Sequence, residues 1–417
     1  MLPYARIASL LENIDRAERR DKASLAAGFL AELPADMICP GVRLLTGELW
    51  PPWEEREMGM GPGAIVEALG EISTKDIESL LLCHHELGLV AEAALLHKSQ
   101  NSIYIEPLDA MHVYKSLCHI SKQKGSDSDH RRGAILRGLF LKGEPIAAKY
   151  IARTVMKGTL VGLGPQTMIS AIAMAFNAQQ GDVTRAYALL PDLGLVAEAA
   201  SRGALADMRI LASRPIKPML IRSGKISDAA APRGYIPIYP GLRVQVHKAE
   251  LEHSVYTMRL KSVASALMNI SMDLLAIGHN FIIEATLVVF RGSKMQRLTD
   301  VVRFINHKHL SRRNSALPAL VASDLIWLDG RDLTSLEYAE RRKRLEAVIG
   351  GPKESPFRGL SLAEQRILED RKAVEDYYAA SLQNGMSGLV SRELDAPYLP
   401  GRFSRGDYFI RKMDSGA

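Results

Sequence analysis

Cysteine is scarce in this chain. Its 417 residues include three, Cys39, Cys83 and Cys118, none in a C-x-x-C spacing. That excludes a disulfide scaffold and a cysteine-rich zinc module, and it fits a reducing compartment. No apolar run approaches the roughly 20 residues that span a bilayer, and no long polar or low-complexity tract argues for disorder. The N-terminus, MLPYARIASLLENIDRAERRD, has the spacing of an amphipathic helix rather than of a signal peptide. What remains is the composition of a soluble globular protein, 47% hydrophobic and 24% charged, long enough for two or three domains and expected in the cytoplasm.

The formal net charge of +6 is unevenly spread. Residues 120–160 hold nine bases (Lys122, Lys124, Arg131, Arg132, Arg137, Lys142, Lys149, Arg153, Lys157) against three acids (Asp127, Asp129, Glu144), so one segment carries a surplus equal to that of the whole chain. Such a stripe suits a phosphate backbone, from which Lys and Arg release condensed counterions. The plainer reading is a solvated helix face. A second cluster, Arg303, Lys308, Arg312 and Arg313, reads more readily as a solvated loop than as a nucleic-acid contact. Cys83-His84-His85 and His307-Lys308-His309 lack the i, i+4 spacing of convergent metal ligands, so no metal is expected.

Up to about residue 214 the apolar spacings are three and four, as in AIVEALGEI from Ala64 and TMISAIAMAF from Thr167, and predict amphipathic helices. The octapeptide LGLVAEAA occurs twice, at Leu87–Ala94 and Leu193–Ala200. In the same register Asp76-Ile77 pairs with Asp182-Val183, and Met58-Gly59-Met60-Gly61-Pro62 matches Val161-Gly162-Leu163-Gly164-Pro165. This is a duplicated helical unit of roughly 100 residues. Each G-x-G-P stands just ahead of a helix, where glycine permits a sharp turn and proline suits the first turn. The exposed amides and the helix dipole make a phosphate site there. Gly59, Gly61, Gly162, Gly164 and Thr167, with Lys124, Arg131, Arg132 and Lys157, are therefore the expected DNA contacts.

The two prolines of Arg214-Pro215-Ile216-Lys217-Pro218-Met219-Leu220 break the helical pattern. Beyond them, YIPIYPGLRVQVHK from Tyr235, NFIIEATLVVF from Asn280 and LVASDLIWLDG from Leu320 read as strands. LKSVASALMNIS from Leu260 and SLEYAERRKRLEAVI from Ser335 read as helices, giving a mixed α+β domain.

Several of these segments carry a resemblance. PIKPML resembles a P-I-R-P-M-L-A linker, Lys124-Gly125-Ser126-Asp127 a K-G-S-D-type loop, and ASDLIWLDGRDLTSLEYAERRKRLEAVI an F-D-L-L-Y-L-D-G-E-D-L-T run. LDAPYLPGRFSRGDYFIRK resembles a final conserved strand segment. All are features of the archaeal or eukaryotic-type ATP-dependent DNA ligases, and together they cover nearly the whole chain. The resemblance implies an all-helical DNA-binding domain with an internal pseudo-twofold repeat over residues 1–214. A ligase-type nucleotidyltransferase (adenylation) domain then follows over 215–417, without the family's C-terminal OB-fold domain.

In that family a lysine attacks the α-phosphate of ATP, AMP passes to the 5′-phosphate at a nick, and the 3′-hydroxyl displaces it, with Mg²⁺ held by carboxylates. Aligned on its glycine and arginine, the nucleophile motif E-x-K-x-D-G-x-R falls on Ile236-Pro237-Ile238-Tyr239-Pro240-Gly241-Leu242-Arg243, putting Ile238 in the place of the lysine. D-G-E becomes Glu284-Ala285-Thr286. E-G-(V/I)-M-x-K becomes Ser387-Gly388-Leu389-Val390-Ser391-Arg392, and K-x-K becomes Ile410-Arg411-Lys412. Ile238, Thr286, Ser387 and Ile410 are thus read as degenerate positions, and Tyr239, Arg243, Arg392 and Lys412 as a residual nucleotide pocket. The expectation is a pseudo-ligase: no enzyme, no cofactor, and a non-catalytic, nucleoid-associated binder of double-stranded, including nicked, DNA in repair or replication. Two alternatives stand: an active ATP-dependent DNA ligase using ATP and Mg²⁺, and an interaction subunit of a replication or repair complex.

Overall fold

Helix-forming residues dominate the first half, and in the computed structural model they form twelve short helices among the described residues. The structure describes residues 1–99, 107–226, 232–306, 316–350 and 359–411. The chain divides into a helical unit, Met1–Tyr187 with Asp192–Met208, and a second unit, Ala188–Pro191 with Arg209–Ala417.

The helices are α1 (Tyr4–Arg16), α2 (Lys22–Ala31), α3 (Ala35–Thr46), α4 (Pro62–Gly70), α5 (Ile77–His84) and α6 (Leu87–Leu95). They are followed by α7 (Ala110–Lys122), α8 (Ser128–Lys142), α9 (Pro145–Val155), α10 (Pro165–Ala175), α11 (Gln180–Leu189) and α12 (Leu193–Ser201). The repeat is wider than the octapeptide suggests, because α1–α6 correspond to α7–α12 and the halves exchange partners. α2 packs on α10 as α8 packs on α4, and α3 packs on α12 as α9 packs on α6. The two LGLVAEAA helices are capped alike. Glu86 accepts from the amides of Gly88 and Leu89, and Asp192 from those of Gly194 and Leu195. Each capping carboxylate then pairs with an arginine of the other half: Glu86 with Arg153 at 3.2 Å and Asp192 with Arg43 at 2.5 Å.

Burial of α9 is nearly complete from Ala147 to Val155, although Lys149 and Arg153 share one of its faces. Its two cations are consequently turned inward. Lys149 lies 2.6 Å from Glu12, which also accepts from the Tyr150 hydroxyl, and Arg153 pairs with Glu86 and Asp15. These bonds outweigh burial and hold the Glu12 carboxyl below its usual range.

The second unit is built on two sheets, with strands β1 (Leu220–Ser223), β2 (Arg233–Pro237), β3 (Leu242–Ala249), β4 (Glu252–Thr257), β5 (Phe281–Arg291) and β6 (Lys294–Met295). The later strands are β7 (Ala316–Leu328), β8 (Arg331–Asp332), β9 (Gly359–Leu362), β10 (Arg366–Leu368), β11 (Gly388–Glu393) and β12 (Phe403–Arg411). Among the described residues one sheet has the order β1-β12-β11-β2-β10. The other runs β4-β3-β5-β7-β8, with β6 on β5 and β9 on β7. Ile236 of the first sheet packs against Val288, Phe290, Ala319 and Val321 of the second, so the sheets meet face to face. The helices here are α13 (Ser271–Leu275), α14 (Leu298–Asn306), α15 (Tyr338–Ile349) and α16 (Arg371–Gln383). The linker residues Ile216 and Met219 are buried; Ile216 exchanges two backbone bonds with the Gln245 side chain, and Met219 donates its amide to the Tyr398 hydroxyl.

The stretch from Leu260, expected as a helix, is instead two 3₁₀ turns leading into the short α13. Leu260 takes a left-handed φ of 63°, and the side chains of Val263, Ala266, Leu267 and Ile270 are buried in the core of the larger sheet.

Candidate nucleic-acid interface and candidate active site

The two glycine turns of the helical unit have the same geometry. Gly59 and Gly162 take φ of +67° and +76°, values a side chain rarely adopts. Gly61 and Gly164 follow as extended helix caps, each with proline at the first helical position and no side-chain cap. Neither helix has an acidic residue in its first turn, so the leading amides of α4 and α10, the latter bearing Thr167, remain without a carboxylate partner there. A cation lies against each turn. Arg132 donates to the Gly59 carbonyl (3.1 Å), and Lys22 to that of Val161 (2.8 Å). Lys22 is the missed counterpart of Arg132, and its only sequence signal was its place at the start of α2.

The basic stripe does not survive as an open surface. Lys149 and Arg153 are buried, and Arg137 pairs with Glu71. Arg132 also bonds Asp129 and the Gln123 carbonyl, while Arg131 bonds the Gln123 side chain and the Lys124 carbonyl. Lys122, Lys124, Lys142 and Lys157 stay exposed. Packing turned four of the nine bases (Arg132, Arg137, Lys149 and Arg153) toward other segments of the unit, while Arg131 stays exposed, which a count of charges along the chain does not reveal.

In the second unit a cavity of about 140 Å³ lies at the meeting of the sheets, lined in part by Ile236, Ile238, Thr286, Val321, Val390 and Phe409. Ile238 is held by two backbone bonds of 2.8 Å, to Gly388 and from Ser387. Gly241 allows a close approach, since a Cβ there would collide with the Leu287 carbonyl and the Thr286 methyl. Tyr239, Arg243 and Arg392 also line this cavity; Ser387 and Ile410 do not. Ser387 is exposed, and Ile410 is buried among Tyr235, Val374 and Tyr377 on the other side of its strand. Lys412 falls outside the described residues, as do Lys308, Arg312, Arg313 and both histidines at 307 and 309, while Arg303 pairs with Asp300.

Every charge at this cavity is matched from within. Arg243 donates to both Glu284 oxygens at 2.6 Å, and Tyr398 donates to Glu284 as well. Arg392 bonds Asp324 and lies 3.0 Å from Asp407, while Arg341 reaches Asp324 at 2.9 Å. Burial disfavours these charges, yet their partners prevail. Arg392 is held well above its usual range by Asp407 and Asp324, Arg243 is raised by Glu284, and Asp324 is lowered by Arg341 and Arg392. Asp324, Arg341 and Tyr398 were not singled out from the sequence; the first sits inside an apolar run that reads simply as a strand.

ATP with Mg²⁺ is the cofactor pair implied by the ligase resemblance, and the residues present do not fit it. Both lining cations and the lining carboxylate are already paired, and the volume of about 140 Å³ is below the ~300–1,000 Å³ of typical ligand pockets.

Residues 3–173 match the family described as "DNA ligase N terminus", and residues 237–410 match "ATP dependent DNA ligase domain". A DNA ligase of Methanothrix thermoacetophila is 30% identical over 99% of this chain and 75% of its own length, and one of Methanoculleus marisnigri is 29% identical over 96% and 73%. A solved structure named "Pmar-Lig_Pre." shares the fold, with a TM-score of 0.54 at 10% identity over 97% of this chain and 77% of that one. The expectation that this chain is no enzyme is thereby corrected: four substituted positions weigh less than near-complete similarity to curated DNA ligases. A glycine-turned helical unit followed by a two-sheet unit, similar over almost all its length to those enzymes, belongs to the DNA ligase family.

Proposed function

We propose that the chain joins nicks in duplex DNA, and that its own chemical part is the final step, acting on a 5′-phosphate that already carries AMP. The observation that carries the reading is similarity to DNA ligases across both units. In the joining step the 3′-hydroxyl oxygen attacks the 5′-phosphorus, a phosphodiester bond forms, the bond to AMP breaks, and the hydroxyl proton leaves to solvent. No protein amine is consumed. That suits a chain with Ile238 at the position of the family's lysine and with the cations at its cavity paired.

Grip on the duplex is assigned to the helical unit. The uncapped amides after Gly61 and Gly164 and the exposed Lys124 and Lys157 would meet backbone phosphates, which makes binding independent of sequence and sensitive to salt.

Two substrates test this reading. A nicked duplex with a 5′-adenylated end should be joined without ATP. A nicked duplex with a plain 5′-phosphate, given ATP and Mg²⁺, should show neither joining nor labelled protein. Failure on both substrates overturns the proposal. Covalent AMP on the protein would return the whole three-step reaction to this chain and overturn its second half.

A further inference from the structure

Strand β12 begins after a left-handed glycine, Gly401 (φ +67°), in the run Gly401-Arg402-Phe403-Ser404-Arg405. It lies parallel to the edge strand β1, where Leu220 faces Phe403 and Arg222 faces Tyr408, so five steps along β12 match two along β1. A bulge of that kind re-aims side chains. Its inner side is pinned. Ser404 and Asp407 are buried, the Ser404 hydroxyl accepts from the Asp407 amide at 3.0 Å, and the Asp407 carboxylate lies 3.0 Å from Arg392. Phe403 and Arg405, on either side of Ser404, are left exposed.

Phe403 is 47% exposed, and no other aromatic ring among the described residues is exposed. Leu220 beside it is 38% exposed, and the Arg222 guanidinium lies 4.7 Å from the ring centre. Single exposed aliphatic side chains are ordinary; a ring, an aliphatic neighbour and a stacked cation together make a surface with a defined chemistry. Arg222, Lys225, Arg402 and Arg405 are exposed, whereas Asp407, the single carboxylate on β1 and β12, is turned inward. The surface is thus cationic around an aromatic centre, and that combination selects its partner. A carboxylate-rich peptide would satisfy the cations and leave the ring bare. A duplex keeps the faces of its bases inside the stack. An unpaired nucleotide presents a base face and a phosphate together.

We propose that this edge of the five-stranded sheet binds single-stranded DNA, an unpaired base stacking on Phe403 while neighbouring phosphates meet Arg222, Arg402 and Arg405. The surface belongs to the second unit, whereas the glycine turns assigned to the duplex belong to the helical unit, and it does not depend on the ligase reading.

Fluorescence anisotropy of the full chain with labelled dT20, and with a blunt duplex of about the same length, reads the two kinds of binding separately. The chain should bind dT20, and Phe403→Ala should weaken that binding about tenfold while leaving the duplex affinity and the melting temperature unchanged, since the ring is exposed. Phe403→Trp should restore the affinity, and its indole emission should fall as dT20 saturates the site. Arg405→Gln should lower the slope of log affinity for dT20 against log salt by about 0.7, the value for one phosphate on a single strand. Absence of dT20 binding overturns the proposal, as does dT20 binding that Phe403→Ala leaves intact. A loss that Phe403→Trp fails to recover, or one of equal size on the duplex, overturns it too.

Discussion

In the helical unit α4 and α10 begin with no side-chain cap and no acidic residue in the first turn, and four lysines of residues 120–160 remain exposed. At the cavity of the sheet unit, Arg243, Arg392 and Arg341 are matched by Glu284, Asp324 and Asp407. The two sites have used similar charged groups oppositely. A field that attracts phosphate survives only where donors are left unpaired, so the exposed lysines and uncapped amides are the groups proposed to meet duplex DNA, while the cavity cluster holds the fold. Removing a buried, paired charge should therefore cost folding in either unit, and removing an exposed lysine of the helical unit should cost DNA affinity.

The largest effect is expected at Asp324. It is fully buried between Arg341 and Arg392, and Asp324→Ala leaves Arg392 with Asp407 and Arg341 with only the Leu336 and Ala396 carbonyls. Removing one partner of a buried pair costs about 3–5 kcal/mol. Urea unfolding of the variant should show that loss. A loss below about 1 kcal/mol would mean that water reaches the cluster and that the contrast between the units is false.

His247 gives the same unit a dependence on pH. The ring is buried, bonded to the Ala212 carbonyl and edge-on to Tyr256, and burial lowers its pKa from 6.5 to about 4. Above pH 6.5 the ring is neutral whether folded or unfolded and adds nothing. As the pH falls from 6.5 to about 4 only the unfolded chain takes up the proton, so stability declines across that window, by up to about 3 kcal/mol. Unfolding of His247→Gln measured at pH 7 and pH 4.5 should show a smaller decline than the parent.

Much of this arrangement was legible in the residues, and the parts that were not share a cause. The repeat, the glycine turns and the main strands follow from local spacing, which the backbone obeys directly. LGLVAEAA became α6 and α12, and G-x-G-P became two matching turns. The direction of a charged side chain depends on which helix comes to lie beside it. Arg153 and Lys149 looked like part of a surface stripe until α1 and α6 closed over α9. Asp324 failed to stand out for the same reason, because its partners are 17 and 68 residues away. Catalysis is a different case, since substitutions at Ile238, Thr286, Ser387 and Ile410 are four side chains set against similarity that runs the length of the chain.

The repeat allows a comparison inside the helical unit itself. Asp192 and Glu86 hold equivalent caps, yet the Asp192 side chain is 4% exposed against 29% for Glu86. Each loses a cap and an arginine when replaced by alanine, and the drier site should lose more: about 2–3 kcal/mol for Asp192→Ala and about 1–2 kcal/mol for Glu86→Ala. Equal losses in urea unfolding would show that burial does not separate the two halves.

The smallest effects in stability are expected at the exposed lysines, and they bear on function most directly. Lys124 and Lys157 are exposed, so neutralising either leaves the fold as it was. If each meets one phosphate, Lys124→Gln and Lys157→Gln should reduce the slope of log affinity against log salt by about 1 apiece, at about 1 kcal/mol or less of binding free energy, with no change in melting temperature. Arg132→Gln supplies the contrast, because its guanidinium ties Gly59, Gln123 and Asp129 together and its loss should lower the melting temperature first. Titration of nicked and intact duplex between roughly 50 and 200 mM salt, beside melting curves for all three variants, separates these roles. Lysine variants that keep the parent slope would remove DNA contact from this face.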